Sequence, residues 1–136
     1  MLLILHIGFL AVCITSFILG KKMEYEMKLF LDKCTKISNE GDLRVFKALV
    51  KRNMYCTLGL ILAIVYVISF CIILIANRGM SGLGILPLFV FIVNLGGSNV
   101  AKLEKRMKSL ATANHELEHQ HQRIIETWRK KVLPDF

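Results

Sequence analysis

The sequence predicts an all-α integral membrane protein with three transmembrane helices, its N-terminus outside, a cytoplasmic helical hairpin, and a C-terminal amphipathic helix with a coiled-coil pattern. Three observations predict this class. The 136 residues are 54% apolar with a mean hydropathy of +0.53, which is too apolar for a soluble domain of this size. The apolar residues concentrate in three stretches free of Asp, Glu, Lys and Arg, residues 1–20, 57–77 and 79–99. The cations are lopsided: of 18 Lys and Arg, nine lie between Lys21 and Arg52 and eight between Lys102 and Lys131, which leaves only Arg78 between the second and third stretches.

A helix rises 1.5 Å per residue, so roughly 20 apolar residues cross the ~30 Å of a bilayer's hydrocarbon. Residues 1–20 form the first span. They have no Lys or Arg before the apolar run and no small-x-small site in a polar region after it, as a cleaved signal would; the charge follows instead, at Lys21 and Lys22. The 17 cations flanking the spans on one side place residues 21–56 and 99–136 in the cytoplasm and "NRGMSG" outside, by the positive-inside rule. The expected location is a plasma (inner) membrane. A topogenic excess also accounts for most of the formal charge of +8, so no nucleic-acid partner is inferred.

Past Gly20 the pattern narrows to a stripe, Met23, Met27, Phe30, Leu31, Cys34 and Ile37, which is one face of a helix. Span one therefore continues into the cytoplasm. "SNEGD" at 38–42 reads as a turn, with Gly41 at positive φ and Asp42 capping the next helix. Val45, Phe46, Leu49, Val50 and Met54 then lead into the second span, 57–77. This makes 21–56 a hairpin of about 25 Å standing on the membrane.

The outer turn and third span occupy 78–98. Gly82, Gly84 and Pro87 mark a place for close packing or a kink, and "NLGGSN" a break at the inner end. Small residues that permit close helix contact are Ala11 with Thr15 and Gly59 with Ala63; Asn94 is the most polar residue within span three and suits an interhelical hydrogen bond. In the tail, Leu103, Met107, Leu110, Asn114, Leu117, His121, Ile124 and Trp128 alternate by four and three, as in a coiled-coil seam. Such a seam is covered either by the chain's own hairpin or by another chain.

"HELEHQH" contains H-E-x-x-H, which on a helix sets His115 and His119 one turn apart as zinc ligands with Glu116 as general base. Such an enzyme needs a third ligand and a substrate cleft, and this chain has no strand-forming segment and too few residues for a catalytic lobe. The seam also leaves both histidines off the packed face. His121 and Glu126 are the nearby residues that could serve as a third ligand. The match is read as a solvated helical face, with a non-catalytic metal site at His115 and His119, such as one between subunits, as the alternative. His6, near the outer end of span one, has no second intramembrane histidine to share a haem. Cys13, Cys34, Cys56 and Cys71 form no C-x-x-C and are expected to stay reduced. No cofactor and no small-molecule substrate is inferred.

In topology alone, one span, a cytoplasmic helical hairpin and two further spans resemble the core of Oxa-type membrane insertases, although no charged residue is placed to face a membrane groove and the hairpin is short. The same order with a helical tail resembles the stator-type proton channels of membrane motors, which carry much longer cytoplasmic helices. The leading expectation is a non-enzymatic membrane subunit that assembles with itself or with other chains in the lipid bilayer. The alternatives are a homo-oligomeric channel or insertase-like conduit, and a metal-dependent enzyme at His115, Glu116 and His119.

Overall fold

The computed structural model describes residues 2–135, with the side chains of Leu2, Arg78 and Ser81 and the surroundings of Gly82 outside the described set. The described residues form five α-helices: α1 Leu2–Lys33, α2 Glu40–Arg78, α3 Ile85–Gly97, α4 Val100–Lys108 and α5 His115–Lys130. The stripe that continues past Gly20 is one uninterrupted helix with the first apolar stretch. With 32 residues, α1 is about 48 Å long, and with 39 residues, α2 is about 58 Å. Each has an apolar half and a charged half, and each is long and apolar enough to cross a membrane.

The turn between them differs in detail from the sequence reading. Asn39, not Asp42, caps α2: its side chain accepts a hydrogen bond from the Asp42 amide at 2.8 Å. The Asp42 carboxylate in turn accepts one from the Ser38 amide at 3.0 Å. This reciprocal cap starts the helix earlier and places Gly41 inside its first turn, where negative φ is required. Positive φ occurs among the described residues only at Gly79 (φ 68°), which ends α2 as its amide bonds to the Ile75 carbonyl.

The third apolar stretch is not one straight helix. A 3-10 segment, Gly79–Gly84, leads into α3, whose 13 residues reach only about 20 Å. α3 and α4 are bent by 46° at the break that "NLGGSN" predicts; the fold thus has two helices able to span a membrane, or three if this bent pair is one span. Pro87 lies in the first turn of α3, where its missing N–H is not needed.

The tail departs most from expectation. The even seam predicts one helix from Leu103 to Trp128, but the chain breaks between α4 and α5, and Asn114 is the exposed N-cap of α5 rather than a seam residue. At the break Ala111–Thr112 (β2) pairs in parallel with Lys36–Ile37 (β1), and Ala113 adds an amide bond to the Ile37 carbonyl at 3.0 Å. So the chain does contain strands, two residues each. They arise because two irregular segments meet and satisfy each other's backbone groups, a long-range pairing that local pattern does not encode.

Two cores result. In the charged half, Met27, Phe46, Val50 and Ile37 are wholly buried with Leu103 and Met107 from α4 and Leu117 and Ile124 from α5. Each such side chain contributes roughly 1.5–3 kcal/mol when withdrawn from water. In the apolar half, Phe9, Val67, Phe70 and Phe89 pack together. Phe70 is the hub, with its ring 5.2 Å from His6, 5.6 Å from Phe9 and 6.4 Å from Tyr66.

Candidate functional site

The most constrained part of the molecule is the level at which the two cores meet. A Cβ on Gly20 would lie 2.8 Å from the Gly96 carbonyl carbon, and one on Gly96 would lie 3.0 Å from the Phe17 carbonyl oxygen. α1 and α3 therefore touch backbone to backbone, which only glycine permits here. One turn further along α1, Glu24 is buried, and its carboxylate accepts a hydrogen bond from the Asn99 side chain at 2.8 Å. Lys21 at 3.3 Å and Lys28 at 3.5 Å complete its partners. A buried carboxylate is costly unless paired and hydrogen-bonded, and Glu24 is both. The break between α3 and α4 is thus tied to the first charged turn of α1.

Asn53 on α2 is fully buried beside Val50 and Met54, and neither atom of its side-chain amide has a partner among the described residues. The Ser16 hydroxyl, buried in the apolar half, likewise has none.

At the far end of the charged half, α5 is held by aromatic contacts. His121 is 1% exposed, and its ring packs against Phe46 with the centroids 4.8 Å apart and the planes inclined by 58°. Burial pushes its imidazole below the usual value, against a smaller opposing effect of a hydrogen bond with the Met107 backbone. Trp128 meets Phe46 edge to face with the centroids 6.5 Å apart, and the Lys108 ammonium lies 4.7 Å over the indole ring.

The expected contact residues divide. Gly59 is at a close approach, where a Cβ would come within 3.3 Å of Leu19 Cδ1, and Ala63 packs against the apolar core. Ala11 and Thr15 are exposed on the outside of α1, and the Thr15 hydroxyl donates back to the Ala11 carbonyl at 2.8 Å. Gly84 faces open space, the surroundings of Gly82 lie outside the described set, and Asn94 is exposed at the edge of an α2–α3 groove near Ile64 and Val93. Of the seam, Leu103, Met107, Leu117, His121 and Ile124 are buried, Leu110 and Trp128 are half-buried, and Asn114 is outside.

His115, Glu116 and His119 are exposed on the first turns of α5. Among the described residues no group of three His, Cys, Asp or Glu side chains is placed to hold a metal. His121 turns inward toward Phe46. The four cysteines are free thiols.

The sequence reading missed Gly20, Gly96, Glu24 and Asn53. The glycines were legible only as the end of a span and as a helix break, although adjacent glycines also mark a possible backbone contact. Glu24 looked like one more charge on a solvated face, and only the fold brings Asn99 to it. Compared with family models, with curated protein sequences and with solved structures, the chain finds no match.

Proposed function

We propose that the chain is a non-enzymatic integral membrane subunit, with its N-terminus outside and its charged half a cytoplasmic head, that assembles with itself or with other chains of a larger membrane complex. In this reading α1, α2 and the bent α3–α4 pair are the three spans, and lipid surrounds the apolar halves. The observation that carries the reading is the junction: Gly20 against Gly96 and Glu24 bonded to Asn99 lock the membrane bundle to the head at the level where charge begins. A fixed junction between the two halves suits a part that transmits position.

The cations of α4 support the orientation. Lys102, Lys105 and Arg106 are exposed just past the bend, while Leu103 and Met107 face inward. An amphipathic cationic helix there is suited to anionic headgroups. The conduit reading has less support from a single copy, since Phe9, Val67, Phe70 and Phe89 fill the space between the spans. A metal-dependent enzyme would have to work from two exposed histidines.

Gentle extraction from the native membrane followed by native mass measurement tests the proposal. A particle containing several chains supports it, and a solitary chain at every protein-to-lipid ratio contradicts it.

A further inference from the structure

The charged half has one face covered by α4 and α5 and another left open. On the open face a groove of about 470 Å³ runs between α1 and α2, floored by Phe30 and Leu49 and walled by Leu29 and Val45. Leu29 is 43% and Val45 57% exposed. Tyr25 and Tyr55, also exposed on these helices, lie close enough to the first charges to sit in a membrane interface. Leu29 and Val45 do not. Leu29 is nine residues past Gly20, about 13 Å along the helix, and Val45 is twelve residues before Thr57, about 18 Å. At that depth an apolar groove faces water.

The rim of the groove is charged with both signs. Arg52 Nε is 3.4 Å from Glu26 Oε2, and its side chain is still 60% exposed. Lys33 and Asp42 stand at the other end. The contacts Leu19–Gly59 and Glu26–Arg52 share one antiparallel register, so Glu26 is level with Arg52 and Leu29 with Leu49.

We infer that this α1–α2 face is a homodimer interface, in which a second copy of the chain lays its own α1–α2 groove against it to form a four-helix bundle. The inference rests on the membrane-subunit reading above, because two copies inserted in one orientation can share only a two-fold axis parallel to the helices. That axis places α1 of one copy against α2 of the other at equal height. Glu26 then faces Arg52 of the second copy, and Lys33 lies within a turn of the level of Asp42 of the second copy. Glu26 and Arg52, which pair within one chain, are placed to pair between two, and Lys33 and Asp42 carry opposite charge at the other end, so the rim is complementary to itself. Leu29, Val45 and Leu49 of both copies close the apolar centre, in the up-and-down arrangement of a four-helix bundle.

The test uses full-length chains carrying two different tags, reconstituted in lipid vesicles, with co-capture of one tag by the other and native mass as readouts. Wild type is expected to form dimers. Arg52→Glu alone and Glu26→Arg alone should each raise the dimer dissociation constant by about tenfold or more, the factor to which coupling of close charge pairs across an interface can amount. A mixture of the two variants should recover pairing between unlike copies, although the pair inside each chain remains repulsive. Circular dichroism of each variant checks folding, and a misfolded variant is replaced by Leu29→Lys with Val45→Asp in the partner. Dimers that survive both reversals, or a mixture that recovers nothing, overturn the inference. A wild type that is monomeric in vesicles yet copurifies with a different chain from its native membrane overturns this interface and leaves the subunit reading standing; a monomer with no companion overturns both.

Discussion

The Asn99 side chain donates a hydrogen bond to the Glu24 carboxylate at 2.8 Å, joining residues 75 positions apart in the chain. Asn99 lies in the two-residue break between α3 and α4, and Glu24 is the first buried charge of α1, so one bond fixes the bend of 46° against the helix it crosses. Asn99→Asp would set a second carboxylate against Glu24, and Asn99→Ala would remove a charge-assisted bond worth ~1.5–3 kcal/mol. The aspartate variant should melt at the lower temperature of the two, with both below wild type. Thermal unfolding followed by circular dichroism in mild detergent checks the order; an aspartate variant as stable as wild type would mean that Glu24 does not hold the bend.

The glycines separate by the same logic. Gly20→Ala drives a methyl group into the Gly96 backbone, and forced separation of packed elements typically costs ~1–3 kcal/mol. Gly84→Ala meets nothing within 4 Å, at a residue already in helical geometry (φ −59°). There alanine should be neutral or stabilise by ~0.4–1 kcal/mol, because it restricts the unfolded chain. Denaturation of the two variants side by side measures the difference, and equal stabilities would remove the backbone contact from the account.

Acid should loosen α5. His121 is held neutral in the folded head, its pKa below the ordinary 6.5, chiefly by burial. The unfolded chain therefore takes up a proton at a pH where the folded chain does not, and stability falls as pH drops through the ordinary value toward the depressed one. Above about 6.5 the contribution is constant. Trp128 is the chain's single tryptophan and rests on Phe46 beside His121, so its fluorescence reports the docking. A titration from pH 7.5 to 5 should shift its emission in wild type and not in His121→Phe; identical titrations would exclude His121 as the cause.

Replacing Glu116 with Gln, or His115 and His119 together with Ala, should change stability by less than ~0.5 kcal/mol, as for other exposed positions. Bound zinc should remain well below one per chain. Stoichiometric zinc lost with the two histidines would reinstate "HELEHQH" as a metal site.

The long helices were legible because their signals are local: charge-free stretches of sufficient length, then a stripe at Met23, Met27 and Phe30 that keeps the same helix going. The break at "NLGGSN" was legible for the same reason. The tail was not, because the seam from Leu103 to Trp128 keeps its spacing across a loop; Asn114 holds a seam position by count and a cap by geometry. The two short strands and the Glu24–Asn99 bond depend on which distant segments meet. So does the role of Gly20, since a glycine at the end of an apolar run reads as a boundary until α3 is seen against it.

The most direct measurement is the mass and composition of the particle released gently from its native membrane, with metal content determined on the same sample. The account predicts more than one chain per particle and no stoichiometric metal. A lone chain with one zinc bound would contradict it on both points.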